Sequence, residues 1–292
     1  MQSKRKVIVR MRGGLGNQLF CYATARRLSL VTASELVIDD ISGFKRDYEY
    51  KRVYSLEMFN ISTRRATTAE RFEPFERLRR GLIKWFSRRR EFYRRRYLEE
   101  ESVTFDSRIL SARICGSLYL DGLWQNENYF IDIRETLRND LQIVPPADKL
   151  NEDMAQAISC SNSVAVHIRF FDKPTQSDAY DVSSDYYRRA ILLTERELSH
   201  PHYYIFSDQP DAARARLRVP QERATYVDHN QDATSSFADL WLMTQCRHHI
   251  IANSTFSWWG AWLSEKNASK LTIAPTRHFA NPNIVPNRWR SL

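Results

Sequence analysis

Short apolar runs rich in β-branched and aromatic residues recur along the chain at Val7–Val9, Leu36–Ile38, Leu118–Leu120, Val164–Ile168, Tyr203–Phe206, His249–Ala252 and Leu271–Ala274. Most are bounded by polar or turn residues, and helical patterns lie between several of them. One such pattern follows Ser183-Ser184-Asp185, where Tyr187, Ile191, Thr194 and Leu198 share one face of a helix that a serine can cap. Strand, helix and strand in succession return the chain in the same direction, so the alternation predicts parallel sheet and an α/β fold. Pro145-Pro146 breaks both periodicities near the middle of the 292 residues. It marks the expected division into an N-terminal domain, 1–146, and a C-terminal domain, 147–292.

Within that frame, GGLGNQ, Gly13 to Gln18, follows the first strand and opens a helix on which Leu19, Ala23 and Leu30 share a face. A loop in that place lies at the carboxyl edge of a sheet, where open α/β proteins bind ligands. Glycine there lets backbone N–H groups approach an anion at a helix N-terminus. Neither familiar phosphate loop is present: there is no Gly-Lys-Ser/Thr, and Leu19 stands where the dinucleotide fingerprint has its third glycine. Alone, the motif fits a tight turn as well as a ligand loop.

Two further constellations carry chemistry. In VAVHIRFFD, Val164 to Asp172, an apolar strand ends in His167, Arg169 and Asp172. The planar fork of Arg169 suits a phosphate; a structural Arg169–Asp172 ion pair beside an edge histidine is the plain alternative. FADLWLMTQCRHHIIANSTFSWWGAWL, Phe237 to Leu263, reads as a helix carrying Asp239, a buried strand, and a second helix opened by Asn253-Ser254-Thr255. Asn253 or Ser254 can cap it, and the hydroxyls of Ser254, Thr255 and Ser257 make its start receptive to anions. Trp258, Trp259 and Trp262 suit core packing or, alternatively, a sugar platform.

The net charge is +9, and nearly all of it sits between Glu76 and Arg96, where ten arginines and lysines face two glutamates. A nucleic-acid module interleaves basic residues with its functional surface, so this confinement argues against a nucleic-acid partner. Leu78, Leu82, Trp85 and Phe86 lay an apolar stripe on the basic helical insert, about 71–101. Two readings stand: a solvated helix packed on the body by that stripe, or peripheral contact of 77–96 with an anionic membrane face or acidic glycolipid. Apolar runs fall far short of the roughly 20 residues a membrane span needs, and the N-terminus lacks a signal-peptide core. The expected location is therefore cytoplasmic, at most peripheral at the inner face of the membrane. Cys21, Cys115, Cys160 and Cys246 are scattered without a CxxC pair, which argues against a disulfide framework or a zinc site. In that setting the sequons at Asn60, Asn253 and Asn267 are without consequence.

Taken together, the blocks GGLGNQLFCYATA, VAVHIRFFD, YYIFSDQ and DLWLMTQCRHHIIANSTFSWWGAWL resemble, in order, the successive motifs of the α1,2-fucosyltransferase family. Its members are inverting enzymes that move L-fucose from GDP-fucose to a galactose hydroxyl. The likeness runs from near Val7 to near Leu263 and leaves the arginine-rich insert and the tail uncovered. It implies an α/β, GT-B-like fold: two Rossmann-like domains facing across a cleft, with GDP-fucose on the C-terminal domain and the acceptor on the N-terminal side. It also implies transfer without cofactor or metal, to the 2-hydroxyl of a terminal galactose in an oligosaccharide or glycolipid.

The resemblance also distributes roles. Arg169 would contact the β-phosphate of GDP, where negative charge grows as the fucosyl carbon becomes oxocarbenium-like. Asn253, Ser254, Thr255, Phe256 and Ser257 would serve the same pyrophosphate. Asp239 would read guanine through its N1–H and exocyclic amine, with His167 beside the base and Asp208 at the nucleotide or the cleft. Gly13, Gly14 and Gly16 become close-approach positions, and Asn17 offers its amide to the diphosphate and fucose. Arg169, Asp172 and Asn17 are the residues expected to act in catalysis, Asp172 as nominal base for the acceptor hydroxyl. No Asp-x-Asp pair is present to hold magnesium on the diphosphate. Two positions depart from the family pattern: Phe170 replaces a second arginine, and Cys21 stands where glutamine is usual. A transferase for another GDP-sugar or linkage, or a non-catalytic GDP-sugar or glycan binder, would keep the same anion-receptive loops.

Overall fold

The computed structural model describes residues 5–114, 116–170, 182–230, 236–265, 270–276, 279, 281 and 283–292. The chain divides into two compact units, Met1–Gln142 and Ile143–Leu292.

The first unit is built on a five-stranded sheet in the order β3-β2-β1-β5-β4, every pair parallel. Its strands are β1 (Lys6–Arg10), β2 (Glu35–Asp39), β3 (Arg64–Arg65), β4 (Tyr97–Glu99) and β5 (Ser117–Asp121). Helix α1 (Leu15–Val31) crosses from β1 to β2. Leu19 and Ala23 are buried as the spacing predicts, but Leu30 is exposed, and Gln18, Phe20, Tyr22 and Thr24 are buried as well. The helix is covered nearly all round because the end of the unit closes over it. Phe20 meets Phe130 at 5.9 Å, and Asp140 on α3 (Arg134–Asp140) accepts from Tyr22 Oη at 2.9 Å and Arg26 Nε at 2.7 Å.

The basic insert forms α2 (Glu76–Arg88), a short 3-10 turn at Phe92–Arg94, and then β4. It docks by the face opposite its apolar stripe. Ile83 packs on the cluster containing Ile8, Tyr97 and Tyr119, while Lys84 and Arg88 both pair with Glu99 of β4. Leu78, Leu82, Trp85 and Phe86 are left exposed, so the helix does not pack on the body by that stripe.

The second unit carries a six-stranded sheet in the order β11-β10-β9-β6-β7-β8, again wholly parallel. Its elements are α4 (Lys149–Ser159), β6 (Asn162–Ile168), α5 (Ser184–Glu197), β7 (Pro201–Ser207), α6 (Pro210–Arg216), β8 (Ala224–Val227), α7 (Ser236–Gln245), β9 (His248–Ile250), α8 (Thr255–Leu263), β10 (Thr272–Ala274) and β11 (Arg290–Ser291). The apolar run of β6 is buried on both faces. Val164, Val166 and Ile168 pack with Tyr186, Tyr187, Ala190 and Ile191 of α5, and Ala165 packs with Ile158, Leu242 and Met243 of α4 and α7. Ser183 caps α5 as expected, its side chain accepting from Tyr186 N.

Trp258, Trp259 and Trp262 are fully buried. Trp258 and Trp262 stack at 6.2 Å, and Trp258 Nε1 donates to Ile284 O at 2.9 Å. They are core, and no sugar platform is exposed on them.

Candidate active site

Strand order fixes where each sheet can offer a ligand edge. In the second unit β6 leads through β7 to β8 on one side, while β9, β10 and β11 extend on the other. The connections therefore diverge between β6 and β9, and the crevice beyond the carboxyl ends of those strands is the switch point at which open parallel sheets bind ligands. Val166 pairs with Ile250. Three residues beyond that pair on each strand come Arg169 and Asn253, so the two motifs found separately in the sequence meet at one edge.

Arg169 is held there from β7. Ile168 pairs with Ser207, which brings the next residue, Asp208, alongside: its Oδ2 lies 2.8 Å from Arg169 Nη1, and its Oδ1 accepts from Phe170 N at 3.1 Å. One carboxylate thus fixes both the guanidinium and the backbone that carries it. Phe170, in place of a second arginine, lies 5.3 Å beneath the guanidinium of Arg216 on α6, so a cation from another element stands over that position. Asp172 lies outside the described residues.

Helix α8 points its start at the same edge. Ser254 is the N-cap, accepting from Phe256 N at 3.3 Å, so of the two cap candidates the serine serves. Ser257 Oγ reaches His167 Nδ1 at 2.9 Å, tying the first turn of α8 directly to the end of β6. The positive end of the helix dipole and the Arg169 guanidinium therefore converge on one edge, a combination suited to a multiply charged anion. His167 is buried beside Phe256, ring to ring at 5.7 Å. Burial, then the charge of Arg169, pushes its pKa down to about 3. At neutral pH it is an uncharged hydrogen-bonding group.

On α7, Asp239 is half-buried and accepts from Asn230 Nδ2 at 2.9 Å. Burial raises its carboxyl to about 7, the Asn230 hydrogen bond offsetting part of that shift. Asn230 continues to Asn151 Oδ1 at 3.0 Å. Spacing alone gives no signal for this amide pair or for Tyr186, and it places Tyr187 only on the packing face of a helix. Tyr187 Oη donates to His167 O at 3.0 Å and Tyr186 Oη to Ile251 O at 2.8 Å, so the first turn of α5 pins the ends of β6 and β9.

The first unit has its own switch point, between β1 and β5. Gly13 adopts a φ of +74°, and a Cβ there would lie 2.6 Å from Asn17 Nδ2, so the turn requires glycine. Gly14 is the N-cap of α1, and a Cβ at Gly14 would meet Arg52 only at 3.8 Å. Gly16 is buried within α1. Asn17 Oδ1 accepts from Gln125 Nε2 at 2.8 Å. Gln18, buried, holds the loop by donating to Gly13 O and Val53 O, both at 2.9 Å, and accepting from Ser55 N. Cys21 Sγ contacts Gly122 O at 3.1 Å, so it is a packed residue at the position where the family has glutamine. Beside the loop, Asp121 pairs with Arg10 at 3.2 Å and Arg12 at 3.6 Å. Its carboxyl is held below the usual range by those guanidinia and Tyr97, against the opposing effect of burial. Among the described residues, no group of three or more His, Cys, Asp or Glu side chains is arranged to hold a metal ion.

The sequence matches Glycosyl transferase family 11 over residues 6–284. It is 31% identical to an alpha-1,2-colitosyltransferase of Escherichia coli over 97% of each chain. It is 28% identical to the O-antigen biosynthesis glycosyltransferase WbnK, also from Escherichia coli, over 96% of this chain and 98% of WbnK. Among solved structures, a point mutant of Arabidopsis thaliana FUT1 in complex with GDP matches at a TM-score of 0.57 and 11% identity, covering 95% of this chain and 72% of that one. The likeness to that structure is one of fold, two parallel-sheet α/β units of the GT-B class.

Proposed function

The chain belongs to glycosyl transferase family 11 and is a glycosyltransferase; from that premise we propose that it is an inverting enzyme moving L-fucose from GDP-β-L-fucose to the 2-hydroxyl of a terminal galactose, forming an α1,2 linkage. The observation that carries the donor assignment is the meeting of Arg169, held by Asp208, with the Ser254-capped start of α8 at one switch point. In the transfer the acceptor oxygen bonds to the anomeric carbon as the bond to the β-phosphate oxygen breaks, GDP leaves with the electron pair, and the hydroxyl proton passes to a base, for which Asp172 is the nominal candidate, or to water. Charge grows on the phosphate, so in this reading the Arg169 guanidinium and the start of α8 favour the transition state over the bound donor. Asn253, Ser254, Thr255, Phe256 and Ser257 line the diphosphate in this reading, Asp239 accepts from guanine, and His167 supports Ser257. In the first unit the Gly13–Gly16 loop and Asn17 are assigned a substrate anion or hydroxyl. The transfer is proposed to need no metal.

A second reading concerns the sugar. The colitosyltransferase relative supports GDP-colitose as donor, colitose being fucose without its 3-hydroxyl. One assay separates the two: GDP-fucose and GDP-colitose offered side by side to lactose in EDTA, with the linkage of the product determined by NMR. A 2-O-fucosyl product is the expected result. A colitosyl product alone would transfer the assignment to the second sugar, and turnover only on adding a divalent cation would overturn metal independence.

The Asp239 assignment makes a pH prediction. Its carboxyl, raised to about 7 in the free protein, takes up a proton that the unfolded chain would release. Its contribution to stability is therefore full below the ordinary carboxylate range and lost as pH rises through about 7. Guanine needs the opposite form, the carboxylate. GDP affinity of the wild type, divided by that of Asp239→Asn, should rise about tenfold between about pH 6 and pH 8. A flat ratio in calorimetric titrations would remove Asp239 from the base site.

A further inference from the structure

We propose that the outward face of α2 is a docking surface for an anionic lipid membrane. At about 100° per residue, Leu78, Leu82, Trp85 and Phe86 fall within one arc, flanked by Arg77 on one side and Arg79 on the other. The opposite face is already used. Ile83 is packed on the sheet cluster, Ser87 is buried, and Lys84 and Arg88 are bound to Glu99, so the helix is fixed with its apolar side outward.

That side is unusually open. Leu78 is 66% exposed, Leu82 50%, Trp85 47%, Phe86 58%, and Phe75, just before the helix, 74%. Phe75 also sits at a φ of +66°, a left-handed conformation that an aromatic residue adopts only at a cost. With the residue so exposed, burial within the chain does little to offset that cost.

Charge selects the occupant. Among the described residues Arg77, Arg89 and Arg90 have no ion pair, and the Arg89 guanidinium lies 3.4 Å over the Trp85 ring. Arg46 borders the groove beside the helix, where Lys45 is already paired with Glu73 and Glu76. Two copies meeting through this face would bring like charges together, whereas acyl chains would accept the apolar arc while anionic headgroups meet the arginines. No helix among the described residues is long and apolar enough to cross a membrane, so contact through α2 is peripheral. The proposal does not depend on which sugar is transferred.

The test is co-sedimentation of the full chain with vesicles of equal parts phosphatidylglycerol and phosphatidylcholine, against pure phosphatidylcholine. The wild type should partition onto the anionic vesicles only. Each arginine brought to the surface adds roughly fivefold to partitioning, so Arg77→Glu with Arg89→Glu should reduce it more than about tenfold, and Leu82→Ser with Trp85→Ser comparably. Both pairs alter exposed side chains and should leave transfer to a soluble acceptor unchanged. Equal sedimentation of wild type and variants would overturn the proposal. So would a wild-type dimer, seen by light scattering, that the Leu82→Ser/Trp85→Ser pair dissociates.

Discussion

Replacing Arg169 by alanine is expected to lower kcat by about 10² to 10³-fold while GDP affinity falls much less, because the guanidinium serves charge that develops only as the donor bond breaks. Arg169→Lys keeps the charge and loses the fork, and should recover only part of the loss. The ion pair to Asp208 at 2.8 Å offers a rival explanation, namely that arginine matters as a structural tie. Thermal unfolding separates the two. A structural tie would make Arg169→Ala and Asp208→Asn unfold early to the same degree, with kcat following the folded fraction. A transition-state role predicts that Arg169→Ala stays folded with its low kcat, while Asp208→Asn, which removes the charge that positions Arg169 but keeps an oxygen able to accept from Phe170 N, retains intermediate activity. A wild-type kcat in a folded Arg169→Ala protein would remove the residue from the chemistry.

The second large effect falls on stability. Trp258→Ala should cost about 3–5 kcal/mol through the cavity it leaves, and should lower Tm by roughly 10 °C in a unit of this size. The side chain is fully buried, stacks on Trp262 and touches Trp259 and Trp289. Its N–H is also the donor to Ile284 O, so truncation strands a buried carbonyl as well. Trp258→Phe fills most of the space and should cost distinctly less. Differential scanning calorimetry of both variants reads the difference; a Tm within about 2 °C of wild type for the alanine variant would mean that the cluster does not support the fold.

The central strands were legible because parallel sheet buried on both faces leaves unbroken apolar runs, as in Val164–Ile168. The edges were not. β3 is Arg64-Arg65, β4 is three residues between a run of arginines and a run of glutamates, β11 is Arg290-Ser291, and β8 has four residues. Short charged edge strands carry little hydrophobic signal because their outer side faces water. At the site, Arg169 and Ser254 stood out since each follows an apolar run that ends at the ligand edge. Asn230, Gln125, Tyr186 and Tyr187 did not, since each acts on a segment distant in sequence and only the fold discloses the partner. The stripe on α2 shows a third kind of limit. Periodicity finds an apolar face but not the side it turns to, which here is settled by Lys84 and Arg88 reaching Glu99.

The switch points also set the order in which the molecule can be completed. In each sheet the strands flanking the ligand edge are the pair most widely separated along the chain: Lys6 meets Ser117, and Val164 meets His248. Every other pairing joins nearer segments. Closing the widest loop carries the largest entropic cost, so β1–β5 and β6–β9 are the contacts expected to form last as the chain folds. Partly folded forms keeping β6, β7 and β8 together would retain much of the secondary structure and none of the ligand edge. Occupancy of that edge is therefore a gauge of the finished unit, and a ligand bound there stabilises the whole second unit rather than one corner of it.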